Sequence, residues 1–545
     1  MADEGTAIVN NTTDTKQGAA SRLGFFYTRI LKWVFFTLAI GLVLLSFENE
    51  SGVRAEYLFM GTPVLVVFYA LFLHANRKSS TPVRKRQTLE WLYWIAAIWL
   101  LPWAALRLFF GVFEIYAALF HLQAGFGSAA DFTTVLAIIA STIIVLIAFH
   151  AALVLARKFP LPRLALLAAI VVVIAVNPLN KYMVEQQFSA AASDYLLPEL
   201  VTPEVVGAPE RLPNLIIIYL EGMERTYRQA EAFGPAYAPI SRLEDEAVTF
   251  EQIGQLPLTE WTMAGMVAGQ CGVPLVPRGF FQKNRANDGS VFMPGSTCLT
   301  DILRAQGYRL ENLTGGDKDF GGLAAFVASH GNGAFTDYQQ LDEVPGRAPD
   351  DWQWGVGDAN MFDAALARIG ALEAGDQPFS FILQTAGPHG PKGHIAAPCR
   401  RPGEAQVSNS ILRPLECTAQ LTEAFVRNLQ NTVDMDNTLI VLMSDHFAHP
   451  FVNVADTLAS YERRNTVMFI GAGATPRRIT KPGTMIDVFP TILATMGFDM
   501  ATDTAGFGVS LYAAQPGNFL RGDPETLARV FRQDIDLANA LWRSE

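Results

Sequence analysis

Four residues at the ends of apolar runs carry the chemistry this sequence offers. Glu221 closes "LIIIYL", Asp445 and His446 close "TLIVLMS", and His389 follows "FSFILQTAGP". A charged carboxylate at the end of a buried strand is costly unless it is paired. Glu221, Asp445 and His446 together would offer a divalent cation two oxygen ligands and one imidazole, a mixed set suited to manganese or zinc and less natural for calcium. Taken singly, an Asp-His pair is more often a helix cap beside a surface residue. Joint placement at strand ends is what points to a metal site.

Histidine is sparse and grouped. Of eight, His74, His121 and His150 fall in or near apolar stretches of the first third, and four of the other five lie in "GPHGPKGH" and "SDHFAH". His389, flanked by proline and glycine, sits on a constrained loop and could bind a phosphate oxygen or shuttle a proton near neutral pH. His394 and His449 are secondary candidates for substrate contact, outside the expected ligand set.

Two threonines complete the inventory, in "GQLPLTEWTMAG". A hydroxyl is a weak nucleophile until something such as a metal activates it, and a helix N-terminus stabilises a phosphate through its free amides and dipole. Thr259 precedes the helix-forming "EWTMAGMVAGQ" and stands where an N-cap would be. On the residues alone it is either a cap, worth about 1 kcal/mol, or a nucleophile placed there.

Positioning these residues requires a sheet. "NLIIIYLEG", "YRLENLTGG", "FSFILQTAG", "NTLIVLMSD" and "TVMFIGAG" read as short buried strands, separated by helix candidates such as "DANMFDAALARIGALEAG", with Asp358 as its cap, and "CTAQLTEAFVRNLQNTV". That alternation predicts an α/β domain with helices on both faces of a mostly parallel sheet. Its ligands belong in the crevice beyond the carboxyl ends of the strands.

The first third differs. The chain has 545 residues, 50% hydrophobic and only 17% charged, and the excess lies in five apolar stretches near 23–47, 57–75, 88–110, 132–156 and 161–179. Each is about the ~20 residues a bilayer core needs, so five membrane spans are expected, with the end of the third, "LRLFFGVFEIYAALF", lying flat at the interface. Arg77, Lys78, Arg84, Lys85 and Arg86 in the second loop and Arg157, Lys158 and Arg163 in the fourth place the N-terminus inside. Five spans then deliver everything after about residue 180 to the outer face. All four cysteines lie there, and an even count in an oxidising compartment suggests two disulfides. The sequence-local pairs, Cys271 with Cys298 and Cys399 with Cys417, are favoured over the other connectivities. A net charge of −11 argues against a nucleic-acid partner. The expected division is a leader over 1–22, a transmembrane domain over 23–180, a connecting helix and linker over 181–212, and a catalytic domain over 213–545.

The blocks "LIIIYLEGMERTY", "GQLPLTEWTMAGMVAGQCGVPL", "WGVGDANMF", "LIVLMSDH" and "DVFPTILATMGF" occur in the order seen in the membrane-anchored phosphoglycerol transferases. This family includes the lipoteichoic acid synthases and the periplasmic-glucan enzymes, within the alkaline phosphatase and sulfatase superfamily. The resemblance covers nearly the whole chain. It implies a five-helix transmembrane domain followed by an α/β sulfatase-like extracytoplasmic domain, held in a bacterial inner membrane with the catalytic part in the periplasm. It also implies Glu221, Asp445 and His446 as ligands of one divalent metal, Mn2+ or Mg2+ foremost and Zn2+ second. Thr259 matches the nucleophile, which also touches the metal, and His389 a histidine that meets substrate phosphate. The implied chemistry is ping-pong transfer of phosphoglycerol from phosphatidylglycerol to a glucan, with diacylglycerol released. Where lipoteichoic acid synthases carry a Trp-Asn-Arg element, this chain has "DKDFGGLAAF", leaving Asp317 as a head-group candidate. "GPHGP" is also similar to the lipid A phosphoethanolamine transferases, which supplies the alternative activity. A non-catalytic membrane scaffold is the alternative of another class.

Overall fold

A computed structural model describes residues 87–110, 120, 132–156, 162–178, 180, 183, 196–276, 291–342, 350–352, 354–390, 392–517, 527, 530, 531 and 534–543. The chain divides into two compact units, one of residues 1–112 and 132–181 and one of residues 113–131 and 182–545.

In the first unit the last three expected spans are helices: α1 (Gln87–Phe110), α2 (Phe132–Ala156) and α3 (Pro162–Ala175). Tyr93, Ala97, Leu153 and Leu166 form a buried cluster among them. Over its described residues, no helix is long and apolar enough to cross a membrane. The first two expected spans, and most of the interfacial stretch expected after the third, lie outside the described residues.

The second unit is built on an eight-stranded sheet. Its strands, numbered in chain order, are β1 (Asn214–Leu220), β2 (Val248–Phe250), β3 (Arg309–Thr314), β4 (Ala334–Thr336), β5 (Phe379–Gln384), β6 (Thr438–Ser444), β7 (Val467–Gly471) and β8 (Arg477–Ile479). The spatial order is β8-β2-β7-β6-β1-β5-β3-β4. From β6 across β1, β5 and β3 to β4 every pairing is parallel, and β8 runs parallel to β2. The sheet is nevertheless mixed, because β7 is antiparallel to both β6 and β2. All five strands expected from apolar runs are present; the direction of "TVMFIG" and the three-residue strands β2, β4 and β8 were not anticipated.

Central position explains the composition of β1 and β6, in which every residue is buried. A strand covered on both faces has no solvent side and therefore no polar alternation. On one face Ile216, Ile218, Leu220, Ile440 and Leu442 share a core with Phe362 of α5 (Asp358–Glu373) and with Phe425 and Leu429 of α6 (Leu412–Thr432). The opposite face receives α4 (Thr262–Cys271), where a Cβ on Gly269 would lie 2.7 Å from Met443 Cε. Both favoured disulfides are formed, Cys271–Cys298 and Cys399–Cys417. The first ties the C-terminal residue of α4 to the residue preceding the next helix.

Candidate active site

Neighbouring parallel strands end at the same level, and that register assembles the site. Leu220 of β1 pairs with Ser444 of β6, so the next residues, Glu221 and Asp445, emerge side by side. Gly222 follows at φ +55°, a left-handed turn that glycine enters without steric cost, and its N–H donates to Asp445 Oδ1 at 2.9 Å. The Glu221 N–H donates to Thr385 Oγ1 at 3.0 Å, joining the end of β5 to the same edge.

His446 completes the group. Glu221, Asp445 and His446 are all buried, with donor atoms within 4.8 Å of one another. The His446 Nδ1–H donates to the Phe447 carbonyl at 2.6 Å, a contact that fixes the tautomer because a carbonyl only accepts. Nε2 therefore carries a lone pair. It lies 3.3 Å from Asp445 Oδ2 and 3.7 Å from Glu221 Oε1, and neither it nor Asp445 Oδ2 has a hydrogen-bond partner. Acceptors facing one another in a dry site repel unless a cation lies between them. Burial first, and the Asp445 charge second, hold the Glu221 carboxyl well above the usual carboxylate range. The donor set and its orphaned atoms fit a divalent metal.

The helix starts later than the cap reading of Thr259 expects. Helix α4 begins at Thr262 with Trp261 as N-cap, so Thr259 is not the cap. Leu258, at φ +65°, turns the chain before it. Thr259 is consequently fully buried, its hydroxyl donating back to the Leu256 carbonyl at 2.6 Å. Thr262, partly buried, donates its hydroxyl hydrogen to Glu221 Oε2 at 3.4 Å. Trp261 makes no side-chain cap, which leaves first-turn amides of α4 for a ligand anion. The helix reaches this close because residue 265 is glycine: a Cβ there would lie 1.8 Å from the Asp445 carbonyl oxygen.

His389 stands on the loop after β5, partly buried, with its ring 4.2 Å from that of Trp354 and 6.0 Å from that of His449. Burial pushes its imidazole down to about 4, against contributions from the Gly390 carbonyl and Asp445 that favour the charged form. Asp358, expected as a helix cap, is instead the first residue of α5, after Gly357 at the N-cap. Its buried carboxylate accepts from Ala386 N at 2.9 Å, Gly387 N at 3.1 Å and Thr418 Oγ1 at 2.6 Å, holding the loop that carries His389. Asp358 and Trp354 are thus positioning residues that the sequence reading missed, although both fall within or beside the "WGVGDANMF" block.

The other candidates have three different settings. His394 is 1% exposed, stacked on Trp352 at 5.2 Å, and 3.4 Å from Asp350, which also pairs with Arg400. It is built into a buried cluster. Asp317 accepts from the Asp319 N–H at 2.9 Å in a local turn after β3. That turn leads to Phe320, whose ring is 5.5 Å from Trp354. His449 is close to the site, its ring 4.4 Å from that of His446.

Behind this arrangement Arg463 pairs with the buried Glu224 at 2.9 Å and donates to the Ala448 carbonyl at 2.8 Å, fixing the backbone just after the ligands. Gln255, from the "GQLPLT" block, accepts the Phe447 N–H at 2.5 Å.

Residues 213–498 match the family described as Sulfatase. Phosphoglycerol transferase I of Xanthomonas campestris pv. campestris (strain ATCC 33913) is 31% identical over 442 residues, 78% of this chain and 62% of that protein. Phosphoglycerol transferase I of Escherichia coli (strain 55989) is 32% identical over 330 residues, 59% of this chain and 42% of that protein. The chain thus spans no more than 62% of the length of these curated relatives. Among solved structures, the lipooligosaccharide phosphoethanolamine transferase A of Neisseria meningitidis aligns at TM-score 0.45 and 14% identity, covering 88% of this chain and 95% of that one.

Proposed function

The chain belongs to the sulfatase family, and we propose that within it this protein transfers phosphoglycerol from phosphatidylglycerol to a periplasmic glucan through a phosphothreonine on Thr262. The donor class is supported by about 30% identity to enzymes named phosphoglycerol transferase I. The observation that carries the mechanism is the Thr262 hydroxyl against Glu221 Oε2, at an uncapped helix N-terminus beside the orphaned acceptors of Asp445 and His446.

Glu221, Asp445 and His446 would hold the divalent metal, Mn2+ or Mg2+ foremost with Zn2+ the alternative. When bound it supplies Lewis-acid stabilisation of charge on the phosphoryl oxygens. The protein does the rest. Thr262 Oγ attacks phosphorus, the bond to the diacylglycerol oxygen breaks, and that oxygen takes up a proton as diacylglycerol leaves. The free amides of α4 receive the phosphoryl oxygens of the glycerophosphothreonine. An acceptor hydroxyl then attacks the same phosphorus, and Thr262 regains its proton as phosphoglycerol passes to the glucan. Asp358 and Trp354 keep the His389 loop against the reacting group.

A lipid donor suits a domain held at the outer leaflet. The proposed organisation keeps a cytoplasmic leader over 1–22, five spans within 23–180, a connector over 181–212 and a periplasmic catalytic domain over 213–545, in a bacterial inner membrane. Incubation with phosphatidylglycerol followed by peptide mass analysis tests the reading. A glycerophosphate adduct on Thr262 is expected. A phosphoethanolamine adduct with phosphatidylethanolamine, and none with phosphatidylglycerol, would assign the other donor, and no adduct with either would leave the covalent route without support.

A further inference from the structure

Glu221 faces a second set of donor atoms besides Asp445 and His446. One donor atom each from Glu221, His389 and His449 also lies within 4.8 Å of the others. The His389 Nδ1–H donates to the Gly390 carbonyl at 2.9 Å, which makes Nε2 the lone-pair nitrogen, as in His446. An imidazole so fixed offers its far nitrogen to a cation or a proton. It has no N–H there for a phosphate oxygen.

Both imidazoles are held in place by packing. His389 lies 4.2 Å from Trp354, and His449 is stacked on Phe451 at 4.7 Å. The two loops press together at Gly390, where a Cβ would come within 2.9 Å of the Phe451 ring. A metal site needs donors fixed in this way before the ion arrives.

We propose that Glu221, His389 and His449 bind a second divalent cation, sharing Glu221 with the Glu221–Asp445–His446 site. This rests on the metal-dependent reading above and deepens it. Two imidazoles and one carboxylate form a softer set than two carboxylates and one imidazole, so the second site favours Zn2+ or Mn2+ over Mg2+ or Ca2+. A second cation held there would add Lewis-acid stabilisation of charge on phosphoryl oxygens beside Glu221. It would also give His449 a ligand's role that its sequence position does not suggest.

The test is stoichiometry, independent of turnover. Full-length protein in detergent is stripped with chelator, titrated with Zn2+ by calorimetry, desalted and assayed for bound metal. Two ions per chain are expected in the unaltered protein, one in Asp445→Asn and one in a His389→Ala/His449→Ala double variant. His389→Gln/His449→Gln, which keeps polar bulk, should also retain one. A single ion in the unaltered protein, or two ions in both double variants, overturns the second site and leaves the first standing. No ion at all sinks the metal-dependent reading itself.

Discussion

Thr262 donates its hydroxyl hydrogen to Glu221 across 41 residues of sequence, at 3.4 Å, joining the first residue of α4 to the residue after β1. Thr259, three positions earlier, makes no such contact; its hydroxyl is spent on the Leu256 carbonyl. The two threonines therefore separate in their response to alanine. Thr262→Ala should lower turnover by about 10^3-fold or more, as loss of a nucleophile does. Thr259→Ala should keep turnover within about threefold while costing about 1 kcal/mol of stability, the net worth of one hydrogen bond. Rates of lipid turnover and denaturant midpoints distinguish them, and the opposite pattern would restore Thr259 as the nucleophile.

Removing the cation should silence the enzyme and loosen the fold. Excess EDTA is expected to abolish turnover and readdition of Mn2+ to restore it. Mn2+ at 100 times its dissociation constant should stabilise the stripped protein by about 2.7 kcal/mol, read as a rise in melting temperature. Asp445→Asn should lose most of that rise.

Asp358 acts through the loop that carries His389. An asparagine keeps the shape and, through its carbonyl oxygen, the contacts of Ala386 and Gly387 N–H with Oδ1, but puts an NH2 in place of the Oδ2 that accepts from the buried Thr418 hydroxyl, at about 1–3 kcal/mol. Asp358→Asn should depress kcat more than it raises KM, because the loop is displaced while the donor site remains. An unchanged kcat with raised KM would instead place Asp358 in substrate binding.

Glu224 gives the fold a pH dependence. Burial pushes its carboxyl up to about 7 despite the opposing pull of Arg463. A carboxyl raised above its unfolded value favours the protonated form in the native state, so its contribution is fully present below the unfolded pKa and is lost as pH rises through about 7. Between pH 5 and 8 the unaltered protein should lose stability through this group, by at most about 3 kcal/mol, and Glu224→Gln should show a flatter profile. Equal slopes for the two would remove Glu224 from the account.

The central strands and the triad were legible because burial leaves a plain mark. "NLIIIYL" and "TLIVLMS" lack polar alternation since both of their faces are covered, and a carboxylate directly after such a run has nowhere to go but the strand-end crevice. Cysteine pairing was legible from an even count and local spacing. The direction of β7 was not, since "VMFIG" looks the same in a parallel and an antiparallel neighbour. The cap reading of Thr259 misled for a local reason. "TEW" before an apolar run resembles a cap, but the left-handed turn at Leu258 comes first, the cap falls at Trp261 instead, and Thr259 is buried. Asp358 misled in the same way, one position off the cap, and its true partners come from the loop after β5 and from α6, far away in sequence.

The central claim is a covalent phosphoryl group on one threonine. The direct measurement is the intact and peptide mass of the protein after brief incubation with phosphatidylglycerol and Mn2+, without acceptor. A glycerophosphate adduct on Thr262, absent in Thr262→Ala and retained in Thr259→Ala, is the predicted result. An adduct that persists in Thr262→Ala, or turnover of the lipid with no adduct on any threonine, would contradict it.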